Sequence, residues 1–313
     1  MRVPHLSPTA FRRLTFVAAI AVGFIIVTGG AVRLSGSGLG CPDWPTCENQ
    51  RVVAPLEYHA MVEFVNRVIT GAVSIAVIVA VLGSLVRTPR RRDLTWLSWG
   101  LVGGVLAQIV LGGLTVLFKL RPGFVMAHFM LSLVLLADAV VLYHRAGRAD
   151  DAVGRAAAGA DLRLMGRLVL AAAGLAVFLG TVVTGAGPHG GDPNVERLNF
   201  AVRDVARLHG TSVMLFLGFT VVTLWRLRKA GGPPSLLRAG EILVGVAVAQ
   251  AGVGYAQYFL GVPVLLVGIH IAGAALVWTA AVWFVLGFTV WAAPTGSPAG
   301  VQEAAGALAR QET

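Results

Sequence analysis

The sequence predicts an all-α, polytopic membrane protein in which eight transmembrane helices form two pseudo-symmetric four-helix bundles. Hydrophobic residues make up 56% and charged residues only 13% of the 313 residues, whereas about 25% of the residues in a soluble domain are charged. Apolar segments of roughly 20 residues, long enough to cross a bilayer as a helix, recur along the whole chain. Polar residues also repeat at a constant offset between the two halves of the chain. These three observations together define the fold class.

The apolar segments give eight predicted spans. They lie at residues 14–34, 60–82, 96–118, 124–143, 164–186, 204–224, 239–260 and 264–288. Two of the loops that join them, 35–59 and 187–203, are long. Residues 293–313 are rich in Ala, Gly, Pro and Gln, which is typical of a disordered tail.

The positive charge indicates an orientation in the membrane. The net charge is +10, and most of the arginines precede the first span or follow the second, fourth and sixth. Loops rich in Lys and Arg lie on the cytoplasmic side. The charge is thereby explained without a nucleic-acid partner. We therefore expect a multi-pass protein of the cell membrane, embedded in the lipid bilayer, with both termini and the tail in the cytoplasm.

A repeated set of polar residues relates the two halves. Two pairs share a spacing of 20 residues, and these pairs are Gln108 with His128 and Gln250 with His270. The pairs are offset by 142 (250 − 108), and the helix before each pair carries Asn66 in one half and His209 in the other, at an offset of 143 (209 − 66). We infer one four-helix half in residues 1–150 and a second in residues 160–292. Both halves have the same orientation, because four helices return the chain to the side from which it started.

The histidines within the spans are candidate ligands of a prosthetic group. An ionisable residue inside a membrane helix is costly and is usually functional. His128, His209 and His270 lie in the outer parts of their spans, and imidazole between bundle helices suits haem iron. His209 and His270 are predicted to bind one haem from both sides, with packing or hydrogen bonding as the alternative role for each histidine. Three further histidines are predicted to be solvated: His5, His144 and His189.

The second span begins with a set of polar residues on one helix face. His59, Glu63 and Asn66 are spaced i, i+4 and i+7 and therefore point the same way. Glu63 either pairs with Arg67 one turn later or points at a substrate, where a carboxylate can stabilise positive charge or guide a proton. The matching position in the second half is Ala206, so the repeat itself does not need the carboxylate. This asymmetry favours a catalytic role.

Cys41 and Cys47 are the only cysteines and lie in the first long outer loop. A pair on the oxidising side of the membrane indicates a disulfide. It is either a structural cross-link or a redox-active or metal-handling pair. Four arginines near the outer ends of spans are candidates for binding carboxylates such as haem propionates, with anchoring at the membrane interface as the alternative. They are Arg33, Arg67, Arg203 and Arg207.

At this point the residues resemble a known family. The string Thr28-Gly-Gly-Ala-Val-Arg-Leu-Ser-Gly-Ser-Gly-Leu-Gly-Cys-Pro-Asp-Trp-Pro-Thr-Cys47 resembles the first outer loop of haem A synthases. The segment Glu63-Phe-Val-Asn-Arg67 is similar to the Glu-x-x-His-Arg motif of that family. The other helix histidines of the family match His128, His209 and His270.

The resemblance implies a function for both halves. It implies oxidation of the C8 methyl of haem O to a formyl group by successive hydroxylation, which gives haem A for terminal oxidases. It also implies haem b, with its iron bound by His209 and His270, in the second half. Haem O would bind in the first half, with His128 as an axial ligand and Glu63 near the reacting methyl. The family's loop cysteines correspond to Cys41 and Cys47, and whether they bind copper is left open. Further partners left open are the electron donor, the farnesyltransferase that makes haem O, and a second copy of the chain.

One residue departs from the family motif. Asn66 stands where the family has His, and a neutral amide is a poor ligand of haem iron. Haem O is then held by His128 alone, with one open iron position, or His59 two turns earlier on the same face substitutes. Two functions from other classes compete with the synthase. One is a di-haem cytochrome b that only relays electrons, and the other is a transporter, although the continuous spans lack the breaks that transporters place near mid-membrane.

Overall fold

The computed structural model describes residues 5–293. Within this range, eight helices of 23 to 29 residues are long and apolar enough to span a membrane. The predicted all-α, polytopic fold is confirmed. Except for residue 293, the predicted tail 293–313 lies outside the described residues. The helices are α1 (Pro8–Leu34), α2 (Tyr58–Val86), α3 (Arg92–Leu117), α4 (Pro122–Ala146), α5 (Ala160–Ala186), α6 (Val202–Lys229), α7 (Pro234–Phe259) and α8 (Val264–Leu286).

Several helices extend beyond their apolar segments. Helix α1 begins at Pro8, six residues before the predicted start at 14, because the Ser7 hydroxyl caps it by accepting a hydrogen bond from the Ala10 N–H at 3.2 Å. Proline at the first helical position adds to this start signal, since its φ angle already suits the helix. Helix α6 continues through an arginine-rich turn to Lys229. The hydrophobic segment marks the membrane core, whereas the caps and terminal charges set the helix ends.

The eight helices form two rings of four. In each half every helix packs against the next one along the chain, and the fourth closes onto the first, so that α1 contacts α4 and α5 contacts α8. Each ring encloses its own apolar core, with Leu101 and Leu133 fully buried in the first and Val169 and Leu243 in the second. The rings meet along α1, α4, α5 and α8. Inside this interface the Trp278 indole N–H of α8 donates to the Leu133 carbonyl of α4 at 2.8 Å.

The two ends of the bundle differ in composition. The disulfide end comprises the loops 35–57, 118–121, 187–201 and 260–263, and the arginine-rich end comprises the loops 87–91, 147–159 and 230–233. At the arginine-rich end the buried Arg87 pairs with Asp150 at 2.5 Å. Two short strands, β1 (Val153–Ala156) and β2 (Thr289–Ala292), also pair there in antiparallel register, with Val153 opposite Ala292. The sequence analysis missed this sheet, because four-residue strands are too short to show alternation.

The prediction that the three remaining histidines are solvated is correct only for His5. That residue is exposed and bonds the Thr88 hydroxyl. His144 lies in α4 and is half-buried, with its ring edge-to-face on Trp283 at a centroid distance of 5.0 Å. His189 is half-buried as well, and its ring N–H donates to the Val262 carbonyl at 2.9 Å. Both side chains contact residues that lie far away along the chain, so the sequence spacing does not reveal these contacts.

Candidate functional site

His209 on α6 and His270 on α8 face each other inside the second ring. Their ring centroids are 6.3 Å apart, and the ring planes are nearly perpendicular at 87°. Two imidazoles that bind one metal ion from opposite sides, through nitrogens about 2 Å from it, have ring centroids roughly 6 Å apart. The donor set and its spacing therefore fit the iron of a haem group placed between α6 and α8.

Hydrogen bonds orient this histidine pair. His209 Nδ1 donates to the Ala176 carbonyl at 2.9 Å, which fixes the ring tautomer and leaves the lone pair of Nε2 free for a metal. The Gln250 amide on α7 donates to the His270 carbonyl at 2.7 Å and holds the backbone of α8 at this level. Nδ1 of His270 is buried and has no hydrogen-bond partner within the described residues. Both rings are consequently held inside the bundle with a nitrogen available.

A glycine lies against each of the three histidines. A Cβ atom added at Gly180 or Gly254 would come within 3.1 Å of Cε1 of His209 or His270. In the first half, a Cβ at Gly112 would lie 3.3 Å from Cε1 of His128. Because such contacts are tighter than side chains normally allow, the glycines leave the space in which the imidazoles pack.

The first ring reproduces half of this arrangement. The Gln108 amide on α3 donates to the His128 carbonyl at 3.1 Å and to the Ser132 hydroxyl at 2.6 Å. Nδ1 of His128 and Oδ1 of Asn66 are both buried and have no partner among residues 5–293. A buried polar atom without a partner is costly, and it suggests a ligand that supplies one. His128 thus fits a metal-binding role, with Asn66 where the second half has His209.

Open space lies beside Asn66 in the first ring. Four residue pairs of α1 and α5 are buried at a common offset of 151, and these pairs are Phe11 with Leu162, Thr15 with Gly166, Ala18 with Val169, and Val22 with Ala173. The same offset relates Gly29 to Gly180. A Cβ added at Gly29 would meet no atom of the described chain within 4 Å. Asn66 lines an apolar groove of about 380 Å³ between α1 and α2. Asn66 therefore borders open space between α1 and α2.

The disulfide loop, residues 41–47, is cross-linked and bound to α2. Cys41 and Cys47 form a disulfide and are both buried. Glu63, only 6% exposed, accepts a hydrogen bond from the Cys41 N–H at 2.7 Å and pairs with Arg67 at 2.7 Å. The ion pair weighed in the sequence analysis is present, and the catalytic role of Glu63 stays a prediction. Oε1 accepts two hydrogen bonds from Arg67, so Oε2, which accepts from the Cys41 N–H, is the oxygen that keeps a lone pair for a further donor.

Arg67 binds the backbone of the same loop. Its guanidinium donates to the carbonyls of Cys41 at 3.0 Å, Asp43 at 3.2 Å and Thr46 at 2.8 Å. A planar, permanently charged fork suits such a fan of acceptors. Arg67 is therefore occupied by the loop, and a role in binding propionates stays a prediction.

The other polar candidates at the disulfide end have different surroundings. His59 is exposed, and its Nδ1 bonds the Ser37 hydroxyl at 2.9 Å. Arg33 reaches across to the second half and donates to the Thr184 carbonyl of α5 at 2.9 Å. Arg203 and Arg207 are exposed at the start of α6. Among these candidates, Arg33 is the one that links the two rings.

Sequence reasoning missed one residue of the disulfide loop. The indole of Trp44 covers Gly113 on α3, where an added Cβ would lie 2.6 Å from the ring atoms Cδ2 and Cε2. Gly113 is adjacent to Gly112, against which His128 packs. The sequence does carry one sign of this contact, a break in the repeat. At the offset of 142, the residue of the second half that corresponds to Gly113 is Tyr255.

The fold and the facing histidines define a class of protein: a helical membrane protein with an imidazole pair inside a four-helix bundle. Residues 12–59 and 52–188 match the COX15-CtaA family, described as cytochrome oxidase assembly protein. These segments cover more than half of the chain. The protein belongs to the COX15-CtaA family of cytochrome oxidase assembly proteins, which confirms the resemblance stated from its motifs.

Individual relatives carry the name heme A synthase. The chain is 29% identical over 130 residues to that of Lysinibacillus sphaericus, covering 41% of this chain and 42% of the relative. It is 33% identical over 105 residues to that of Geobacillus kaustophilus, covering 33% and 32%. With the Listeria monocytogenes protein it shares 30% over 135 residues, covering 42% and 44%. The chain thus matches less than half the length of each of these relatives.

Proposed function

We propose that the protein is a haem A synthase, an enzyme that oxidises the C8 methyl of haem O to a formyl group and so supplies haem A for terminal oxidases. The observation that carries the proposal is the family match over residues 12–59 and 52–188. That range includes the disulfide loop, Glu63 and His128. The name heme A synthase shared by the relatives supports the same activity.

Residues 160–292 are proposed to hold the cofactor, haem b, with His209 and His270 as its axial ligands. When bound, this group supplies one-electron transfer at a potential set by its ligands and their hydrogen bonds. The protein contributes the geometry. The Ala176 carbonyl fixes the tautomer of His209, the Gln250 amide holds the backbone of His270, and the flanking apolar helices exclude water.

Residues 1–150 are proposed to bind the substrate, haem O. His128 is the proposed axial ligand of the substrate, and Asn66 leaves the opposite side without an imidazole. His59 stays the alternative ligand, although its Nδ1 is engaged by Ser37. Glu63 is the proposed catalytic carboxylate near the reacting methyl, where it can exchange protons with the hydroxyl groups formed on that carbon. Arg67 pairs with Glu63 and holds its side chain in place.

The proposed reaction is oxidation of one methyl carbon in two stages. Two successive hydroxylations convert the methyl to a hydroxymethyl and then to a geminal diol, which loses water to give the aldehyde. Each hydroxylation takes one oxygen atom from dioxygen, and two electrons from a donor outside this chain together with two protons convert the other oxygen atom to water. Copper binding by Cys41 and Cys47 would require reduction of the disulfide, because thiolates are the ligands that bind metal.

The proposed location is the cell membrane, with both termini in the cytoplasm and the disulfide end outside. Two independent features support this orientation. Arginine-rich loops favour the cytoplasmic side, whereas disulfides persist on the oxidising side. The two features occupy opposite ends of the bundle. Two further partners are proposed. They are the farnesyltransferase that makes haem O and a second copy of the chain.

The test is to express the chain in cells that make haem O but no haem A, followed by pigment extraction and mass analysis. Haem A or its hydroxymethyl precursor should appear only with the chain present, and cells without the chain are the control. Bound haem b beside unaltered haem O would contradict the proposal and favour the relay cytochrome. Purified protein without a Soret band would exclude both haem functions.

A further inference from the structure

The first half differs from the second in three residues that contact the disulfide loop and in the cysteines of the loop itself. Glu63 and Arg67 bind the backbone of the loop, and an offset of 143 places Ala206 and Gly210 at these positions in the second half. Gly113 receives the indole of Trp44, whereas the second half has a tyrosine there. The cysteines of the loop have no counterpart in residues 187–201. Four unrelated substitutions would not be expected to meet at one loop, so the loop is the feature for which the first half is specialised.

The tip of this loop supports the helix on which His128 packs. Trp44 lies between the two cysteines and keeps 38% of its surface exposed, so most of it is covered. Its ring occupies the space above Gly113, one residue from the glycine that contacts the His128 imidazole. Two consecutive glycines weaken a helix by about 1 kcal/mol each relative to alanine. The indole of Trp44 packs on this turn of α3.

We propose that Trp44 is a positioning residue of the haem site in the first half, which it serves by filling the space over Gly113 and fixing the turn of α3 against which His128 packs. The inference rests on the proposed function for the identity of the ligand, haem O. The disulfide and the Glu63–Arg67 pair hold the loop so that the indole stays in this position. In the second half, the backbone next to Gly254 carries the side chain of Tyr255 and has no such loop.

The experiment compares the Trp44→Ala, Trp44→Phe and Gly113→Ala variants of the full chain, purified with haem b bound. Each variant is titrated with haem O while the Soret band and the electron paramagnetic resonance spectrum are recorded. Trp44→Ala should weaken haem O binding about tenfold, the scale seen when a residue that orients a metal ligand is lost. Trp44→Phe should recover most of the affinity, because a smaller ring still covers Gly113. The signal of the histidine pair in the second half should stay unchanged in every variant.

Two matched controls lie on the same helix. Trp96 is 73% exposed on α3, so Trp96→Ala tests the loss of an indole as such. A Cβ at Gly103 meets nothing within 4 Å in the described chain, so Gly103→Ala tests the added methyl. Both controls should bind haem O like the wild type.

A double variant makes the test sharper. Gly113→Ala should weaken binding about as much as Trp44→Ala, because the added Cβ displaces the indole. In the Trp44→Ala background the same methyl meets no ring and should cost nothing further, so the effects should be strongly non-additive. Additive losses would overturn the proposal, as would equal changes of the signals from both halves.

The outcomes separate this inference from the proposed function. If Trp44→Ala binds haem O as the wild type does, the inference fails even where the wild type produces haem A. If the wild type binds haem O without converting it, the synthase proposal fails, and the titration still decides the role of Trp44. If the wild type binds no haem O, both fail.

Discussion

The imidazoles of His209 and His270 face each other across the second four-helix ring at a centroid distance of 6.3 Å. They lie on helices that are not neighbours in the ring, since α6 packs against α5 and α7, and α8 against α5 and α7. A ligand held by both residues would therefore link opposite walls of the bundle. The equivalent walls of the first ring carry Asn66 and His128, so the two rings are expected to differ in the number of imidazoles they offer.

Replacing either histidine of the pair should remove the haem of the second half. His209→Ala and His270→Ala are each expected to abolish the low-spin signal of a bis-histidine haem, because one imidazole cannot saturate both axial positions. The haem content is measured by pyridine haemochrome and the ligation by electron paramagnetic resonance. His5→Ala, at an exposed position near the arginine-rich end, is the control. Retention of the low-spin signal in either variant would refute the assignment.

The glycine against His209 should be as important as the hydrogen bonds to that residue. In Gly180→Ala the new methyl would lie 3.1 Å from Cε1 of the imidazole, so the ring must rotate or shift. We expect haem b affinity to fall about tenfold, the scale seen when partners that orient a metal ligand are disturbed. Gly218→Ala on α6 is the matched control, since its Cβ meets no described atom within 4 Å. Haem retention during dialysis against apomyoglobin measures the difference.

Restoring histidine at position 66 should convert the first half to a two-imidazole site. Asn66 lines an open groove between α1 and α2, and the matching residue of the second half, His209, packs against Gly180. Asn66→His is therefore expected to fold normally and to change the spectrum of haem O bound in the first half from high-spin to low-spin. Asn66→Gln, which has a side chain of similar reach but no imidazole, should leave the spin state as it is. A high-spin spectrum in both variants would show that position 66 does not reach the iron.

The apolar segments of the sequence were sufficient to predict the fold, and its repeat predicted that matching residues of the two halves make matching contacts. A constant offset between Gln108 and Gln250, and between His128 and His270, indicates that the members of each pair occupy equivalent positions. The structure shows that contact, a glutamine amide that donates to the histidine carbonyl in each half. Helix positions could be predicted because membrane spans need long apolar segments.

The partners of Glu63 could be predicted only in part. Arg67 is one helical turn away, so the ion pair follows from spacing. The Cys41 N–H is a partner brought in by the fold of a loop that has no periodicity. For the same reason the contact between Trp44 and Gly113 does not follow from residue patterns. Contacts made by irregular loops depend on the whole chain path, which residue patterns do not encode.

Removing the charge of Glu63 should separate binding from conversion. Glu63→Gln keeps an oxygen that can accept from the Cys41 N–H but loses the ion pair with Arg67. Leaving a buried partner incompletely satisfied costs about 1–3 kcal/mol of stability. The haem b of the second half should remain, whereas conversion of haem O should fall about a hundredfold, the scale of a lost general acid or base.

Glu57→Gln, at the exposed residue before α2, is the matched control and should keep full activity. Activity is measured as haem A formed per bound haem b, so that partial unfolding does not count as a catalytic defect. Wild-type conversion by Glu63→Gln would mean that the carboxylate serves only to hold the disulfide loop. In that case Arg67→Lys should reduce conversion more than Glu63→Gln does, because the first half would then require the loop and not the carboxylate. Lysine keeps the positive charge but cannot bond the three loop carbonyls at once.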